Sequence, residues 1–444
     1  MNSNQDGVPA DDENVVSQRI VRPTISRSGR WRLVAALMLV TIAATFFWWQ
    51  YSLEQDLKKA KQAAARGSWE LVLSHLDRYL RYHPDDAEAQ LLIAEAHIRS
   101  NDGDFSESVQ RAVFHLQQVK VDSKLVARAR LQEGRLSLLL LKEPGTAERL
   151  LKESLRLEAN SLEANLLMWQ LLDVTGRHVF SDSYFWHAFE LSPRSQRGLL
   201  LRDWFLSELY PEQLHAALFR QMGVSAVGKI PASVSLLVHF REVEPDANFL
   251  HAALAKYYHE LGNLAATMDL LKECPDVTAA MDDAFFVSVL FEALIDLGEF
   301  QKAEDCFKEF PQPHEGYLYW RSESMYQDYV QHDSAAAIES LRKALATPPG
   351  KFDWGLMTRL SVCLQKTGAF EEADQMQKRV DTLTREVLTV KNTSLLRNLL
   401  KDPQQPGVAA KFADFYRKFG LEREVSAWND YKYDLANQQP SPGQ

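Results

Sequence analysis

The one stretch of this 444-residue chain that spells out a known piece of chemistry is Gly223-Val-Ser-Ala-Val-Gly228-Lys229. It matches the first seven positions of a phosphate-binding loop, whose amides cradle phosphates while the lysine meets their charge. The eighth position must be Ser or Thr to hold magnesium, and here it is Ile230, followed by Pro231. The preceding Glu212 to Met222 has a helical pattern, so the strand that would aim the amides is missing. An ordinary loop is the expected reading.

Other reactive types are scattered. The twelve histidines include no His-x3-His or His-Glu-x2-His, so no helical metal site is predicted. His251 and His259 lie two helical turns apart and read as a groove or surface pair. Cys274, Cys306 and Cys363 form no Cys-x2-Cys pair and read as buried structural thiols. Glu371-Glu372 and Asp282-Asp283 fall at helix starts, where they complement the helix dipole. Asn392-Thr-Ser394 fits a glycosylation sequon, a pattern common by chance. No catalytic residue, metal site or cofactor is predicted.

The elements that carry these residues repeat. Gly67-Ser-Trp69, Gly103-Asp-Phe105, Gly262-Asn-Leu264, Gly298-Glu-Phe300 and Gly368-Ala-Phe370 share one pattern: glycine, then an aromatic or leucine two residues on. The steps from 67 to 103 and from 262 to 298 are 36 residues. Before each glycine runs a helical apolar stripe, such as Val287, Leu290, Phe291, Leu294 and Leu297. Glycine suits the left-handed end of a helix, and one hairpin cannot bury its own apolar face, so neighbours must stack.

These residues resemble the tetratricopeptide repeat family, whose unit is a 34-residue helix-turn-helix. Phe185-x2-Ala188-x4-Pro193 and Ala337-x3-Leu341-x2-Ala344-x4-Pro349 carry the second half of that unit, and Leu76 to Pro84 does so more loosely. Ala255-x2-Tyr258-x3-Gly262 and Ala413-x2-Tyr416-x3-Gly420 carry the first half. The resemblance implies an all-α solenoid of about eight helical hairpins. It further implies a protein-binding concave groove lined by the first helix of each pair. On those helices Phe249, Lys256 and His259, then Phe285 and Glu292, each share a face away from the core stripe. Tyr319, Tyr326 and Tyr329 form a third stripe, in a unit whose register is ambiguous because no glycine marks its end. These eight residues are the candidate partner contacts, with packing against the adjacent repeat as the competing role. The lysine, asparagine and arginine set by which some family members clamp a peptide carboxylate is not reproduced.

Leu33 to Trp49 is an uncharged apolar run, about 25 Å as a helix, which is short but adequate to cross a bilayer. Trp31 lies at one end; Trp48, Trp49 and Tyr51 lie at the other, as in an interfacial belt. The run ends in bulky aromatics rather than small residues, which favours an anchor over a cleaved signal. Arg19, Arg22, Arg27, Arg30 and Arg32 precede it, so a cytoplasmic N-terminus with extracytoplasmic repeats is expected. A net charge of −10 lacks the basic footprint of a nucleic-acid binder.

The predicted organisation is a disordered polar tail at 1–30, a transmembrane anchor at 31–51 and a first repeat block at 52–193. An irregular helical segment follows at 194–245, then a second block at 246–380. C-terminal helices with a degenerate last repeat occupy 381–436, including one long helix at 381–402, and a tail ends the chain at 437–444. The expected function is that of a non-catalytic, single-pass scaffold of bacterial type, binding a protein partner. An assembly or maturation factor for an envelope client, and a catalytic subunit using 194–245, remain as alternatives.

Overall fold

The structure is a computed structural model and describes residues 27–100, 104–209, 222, 231–347, 349–392, 394–402 and 405–438. Among them no strand occurs, and the expected all-α architecture of stacked helical hairpins is what the chain adopts. The chain divides into two compact units, residues 1–83 and 84–444.

In the first unit, α1 (Arg27–Ala65) is a single unbroken helix and α2 (Trp69–Leu80) folds back along its second half. Leu53, Ala60, Val72 and Leu76 are buried between them, each large side chain contributing about 1.5–3 kcal/mol. Asp56 is buried beside His75 and Arg78, at 3.4 and 3.5 Å. Trp49 meets the ring of Tyr82 edge-on at 4.7 Å. Towards the N-terminus the helix is long and apolar enough to cross a membrane, and Leu37, Leu39, Ile42 and Phe47 lie bare. The hydroxyls of Thr41 and Thr45 donate back to the carbonyls of Leu37 and Thr41, at 3.0 and 2.8 Å. That removes their need for water in an apolar surrounding.

The second unit stacks hairpins: α3 (Ala87–Arg99) with α4 (Phe105–Gln117), α5 (Val126–Leu136) with α6 (Pro144–Leu157), and α7 (Leu162–Val174) with α8 (His178–Leu191). Among the described residues α9 (Arg194–Leu209) and α10 (Ala232–Val243) follow. Then come α11 (Asn248–Glu260) with α12 (Leu264–Lys272), the one-turn α13 (Val277–Ala280), and α14 (Ala284–Asp296) with α15 (Phe300–Lys308). The stack continues as α16 (Gly316–Met325) with α17 (Ser334–Ala346) and α18 (Trp354–Lys366) with α19 (Phe370–Asn392). It ends with α20 (Ser394–Lys401) and the pair α21 (Pro406–Arg417) and α22 (Glu422–Gln438).

One turn recurs. At Gly298, φ is +73° and nothing lies within 4 Å of where a Cβ would stand. The amide of Glu299 donates to the carbonyl of Leu294, five residues back, at 2.9 Å. This is the left-handed helix ending that glycine alone adopts without strain. The same bond and a positive φ recur at Gly67, Gly176, Gly262, Gly368 and Gly420. Gly103 lies outside the described residues.

Two hairpins turn differently. After α5 and α16 the chain widens into single π-helical turns, Ser137–Leu141 and Tyr326–Val330. Each is followed by a left-handed residue that is not glycine, Lys142 at φ +62° and His332 at φ +56°. The amides of Glu143 and Asp333 then reach carbonyls six residues back, Ser137 and Gln327, at 2.9 and 2.8 Å. This explains the ambiguous register around 314–332: the turn there has no glycine to mark it.

Among the described residues the segment 194–245 holds helices α9 and α10, whose Leu201, Trp204, Phe205, Leu237 and Phe240 are core residues. One expectation is corrected. The long helix expected at 381–402 instead begins at Phe370, as the second helix of its hairpin, and is described as far as Asn392, with α20 described from Ser394. No breaker stands near 381, so nothing ends α19 there.

The stack closes on itself. α22 packs on α9. One aromatic core joins Trp169, Phe185, Trp204 and Phe205 to Phe412, Tyr416, Trp428 and Tyr431. Phe205 meets Phe412 at 4.6 Å. Gly198 gives Tyr431 its room, since a Cβ there would stand 2.0 Å from the ring. On the rim, Arg423 grips both oxygens of Asp182 at 3.0 and 3.1 Å and lies 4.0 Å over Trp186.

Candidate functional site

Two neighbouring cavities of about 950 and 750 Å³ open along the circuit from α7 to α22, the larger also bordered by Glu148 and Lys152 of α6. Val179, Asp182, Tyr317, Leu318 and Pro349 line both and form the wall between them.

The larger cavity is built around Arg177, placed by the Gly176 turn at the start of α8. Its guanidinium lies 3.9 Å over the ring of Phe249 and 2.7 Å from Glu148. Burial alone would raise the pKa of Glu148, but Arg177 and Lys152 hold it below the usual carboxylate range. Across the cavity, Asp283 caps α14 by accepting from the amide of Phe285 at 2.9 Å. Burial pushes its pKa up against that bond.

The smaller cavity carries more charge. Asp173 hydrogen-bonds Nδ1 of His178. Burial works against the imidazolium, but Asp173 outweighs it and raises the pKa of His178. Burial, with the charges of Asp173, Asp182 and Glu424, pushes Glu208 up to about 7, His178 opposing. Burial lowers the pKa of Lys256, Glu260 opposing. The ammonium of Lys256 is loosely held, 3.5 Å from the carbonyl of Gly176 and 3.9 Å from Glu260. Arg321 donates to Glu292 at 2.8 Å, and the hydroxyl of Tyr317 donates to Asp353. Burial and neighbouring anions keep Tyr317 protonated, while burial works against the charge of Arg321 and Glu292 with the other nearby anions outweighs it.

Of the eight candidate contacts, six line these cavities. Phe249 and Tyr319 face the larger one; Lys256, His259, Phe285 and Glu292 face the smaller. Phe285 is only 2% exposed, so it is a wall and not the protruding group its stripe suggests. His259 pairs with Asp296 at 2.8 Å. His251 is buried between the carbonyls of Leu270 and Pro245, so the two histidines do not form the pair expected from their spacing. Tyr326 lies outside both cavities, stacked on Phe307 at 4.6 Å, and Tyr319 touches the same ring at 5.7 Å. Tyr329 also lies outside, half-exposed beneath Arg359.

Sequence reasoning missed Arg177, His178, Asp182, Glu208, Arg321, Asp353 and Arg423. Arg177 and His178 follow a sixth glycine turn, which was a usable signal. Arg423 reaches the site from 241 residues away, and no local pattern marks it. The glycine-rich stretch 223–230 lies outside the described residues, as does Thr393 of the sequon. The three cysteines are buried, as expected.

The fold is that of a helical-hairpin repeat protein whose later hairpins meet in a circuit. No family model matches the chain, and no curated protein matches it in sequence. Among solved structures it is similar to the P58(IPK) TPR domain, at 18% identity, covering 80% of this chain and 99% of that one, with a TM-score of 0.25. It is also similar to the APC/C hetero-tetramer Cut9-Hcn1, at 11% identity over 87% and 94%, with a TM-score of 0.31. A human IFIT1 dimer with PPP-AAAA matches at 12% identity over 85% and 82%, with a TM-score of 0.28. Scores this low bear on neither partners nor chemistry. The repeat character is seen in the chain's own turns, which recur with the same hydrogen bond.

Proposed function

We propose that this chain is a non-catalytic scaffold, tethered to a membrane by α1, that receives part of a partner protein in the chamber between α7 and α22. The convergence of candidate contacts from α11, α14 and α16 on two neighbouring, open cavities supports this reading. The chamber offers aromatic walls, fixed ion pairs and one loosely held ammonium, a mixture suited to recognising a polypeptide. The apolar half of α1 and the arginines before it support a cytoplasmic N-terminus with the repeats outside a bacterial inner membrane.

Photo-crosslinking in native membranes tests the chamber. A crosslinking residue at position 249 or 256 should capture a discrete partner. One at position 302, on the outward face of α15, should not. Equal capture from all three positions would move the binding surface elsewhere. Protease added to intact spheroplasts should digest the repeats; repeats cut only after lysis would reverse the topology.

A further inference from the structure

A second surface lies on the hairpins that stay outside the closed circuit. Between α3, α4 and α5 runs a groove of about 390 Å³. Its apolar lining includes Ile98, Phe105, Leu116, Leu136, Leu139 and Leu140. Phe105, the first residue of α4, is 57% exposed. Leu139 and Leu140 belong to the π-helical turn that ends α5 and remain half-buried on the groove. Single π turns inside α-helices recur at functional sites, because the extra residue re-aims the side chains that follow.

The rim is cationic. Arg99, Arg128 and Arg135 line the groove, with Glu95 as its one acid. Arg99 meets Glu95 at 3.0 Å, and Arg135 meets Glu163 at 3.2 Å on the exposed surface. Arg128 has no acidic partner among the described residues. In a chain of net charge −10, three arginines bordering one apolar groove form a local reversal of sign.

We propose that this groove binds an amphipathic helical segment of a partner protein, with an apolar face flanked by Asp or Glu. Leucine-sized side chains spaced at i, i+3 or i+4, and i+7 would enter between α3 and α5. Flanking carboxylates would meet the arginines in charge-assisted hydrogen bonds. A basic segment would be repelled by the rim. A polyanion without apolar groups would leave the floor exposed. The surface is distinct from the chamber and does not depend on the chamber's role.

The test uses the full chain in nanodiscs and a fluorescent synthetic two-heptad peptide with a leucine face and glutamate flanks. Anisotropy should show the glutamate peptide binding at least about tenfold more tightly than a lysine-flanked twin, with an affinity that falls as salt rises. The double variant Arg128→Glu/Arg135→Glu should lose about tenfold or more of that binding and reverse the preference. Both positions are exposed, so an unchanged thermal transition should accompany the loss. Equal binding of the two peptides, or binding untouched by the double variant, overturns the proposal. Displacement of the peptide by anionic phospholipid would make the groove a lipid site and overturn it too. So would self-association abolished by Leu139→Asp, which would make a second copy the occupant.

Discussion

From Ala87 to Leu157 the second unit is an arm whose core is made by neighbours in sequence. Leu91, Ala94, Ala112, Leu116, Val126 and Ala129 pack within about 40 residues of one another. From Leu162 onward the arrangement changes. There Arg423 reaches Asp182 across 241 residues, and Arg194 reaches Asp434 across 240. The arm is an open stack with nearest-neighbour stability; the circuit is closed, so its first and last hairpins share one core. The arm joins the circuit through α6, where Ala147 and Leu151 share a core with Leu171 and Phe240 and Glu148 meets Arg177 at 2.7 Å. The carboxylate of Glu244 accepts from the amides of Gly145 and Thr146 at 2.6 and 3.0 Å, capping α6 from 98 or more residues away. Locally stable repeats can open one at a time, whereas a closed ring is expected to open as a unit.

The sharpest way to break that contrast is Gly198→Ala. The new methyl would fall inside the buried ring of Tyr431. Such overpacking costs about 1–3 kcal/mol, relieved by displacing the Tyr431 ring and with it the packing of α22 on α9. Hydrogen exchange should rise across 406–438 and 194–209 while 87–157 keeps its protection. Uniform exchange over arm and circuit would show that closure is not a separate event.

A somewhat smaller effect comes from pH. Glu208 has its folded pKa raised above the value of 4.5 it takes when unfolded, to about 7. Between those values the unfolded chain loses the proton and the folded one keeps it, so stability falls as pH rises. His178, also raised, stabilises below its unfolded value of 6.5 and loses that contribution as pH climbs further. Both signs agree: the circuit should be firmer at pH 5 than at pH 8, by on the order of 2 kcal/mol. Glu208→Gln should flatten the slope in chemical denaturation. A circuit transition that does not depend on pH would refute the assignment.

The finest contrast lies between the two kinds of turn. Gly298→Val forces a β-branched residue to φ +73° with no compensating contact, at a cost of about 1–2 kcal/mol. Lys142→Gly removes the opposite mismatch at φ +62° and should gain about 1 kcal/mol or slightly less. Thermal unfolding of the two variants should shift in opposite directions. A shared sign would mean that the π turn needs its lysine.

These turns also explain what was legible in the sequence. Where glycine ends the first helix, hairpin and register could be read directly, because one residue type satisfies one backbone need. Lys142 and His332 meet the same need through a π turn, for which no residue type is diagnostic. The groove stripes were legible because helical spacing places Phe249 with Lys256, and Phe285 with Glu292. The opposing charges were not, since Asp182, Arg321 and Arg423 are brought together only by ring closure. Nothing in the sequence marks Gly198; its purpose appears only when Tyr431 is seen against it.

The unbroken α1 carries one further implication. Its apolar half and the half that pairs with α2 share a single helical lattice, so any residue added between them acts as a turn of a screw. One inserted alanine after Ser52 would rotate the α1/α2 hairpin by about 100° about the helix axis and advance it about 1.5 Å. Four would bring it back to within about 40° of its starting azimuth. If the bearing of that hairpin above the bilayer matters, activity plotted against insertion length should oscillate with the helical period, where a slack tether would give a flat line.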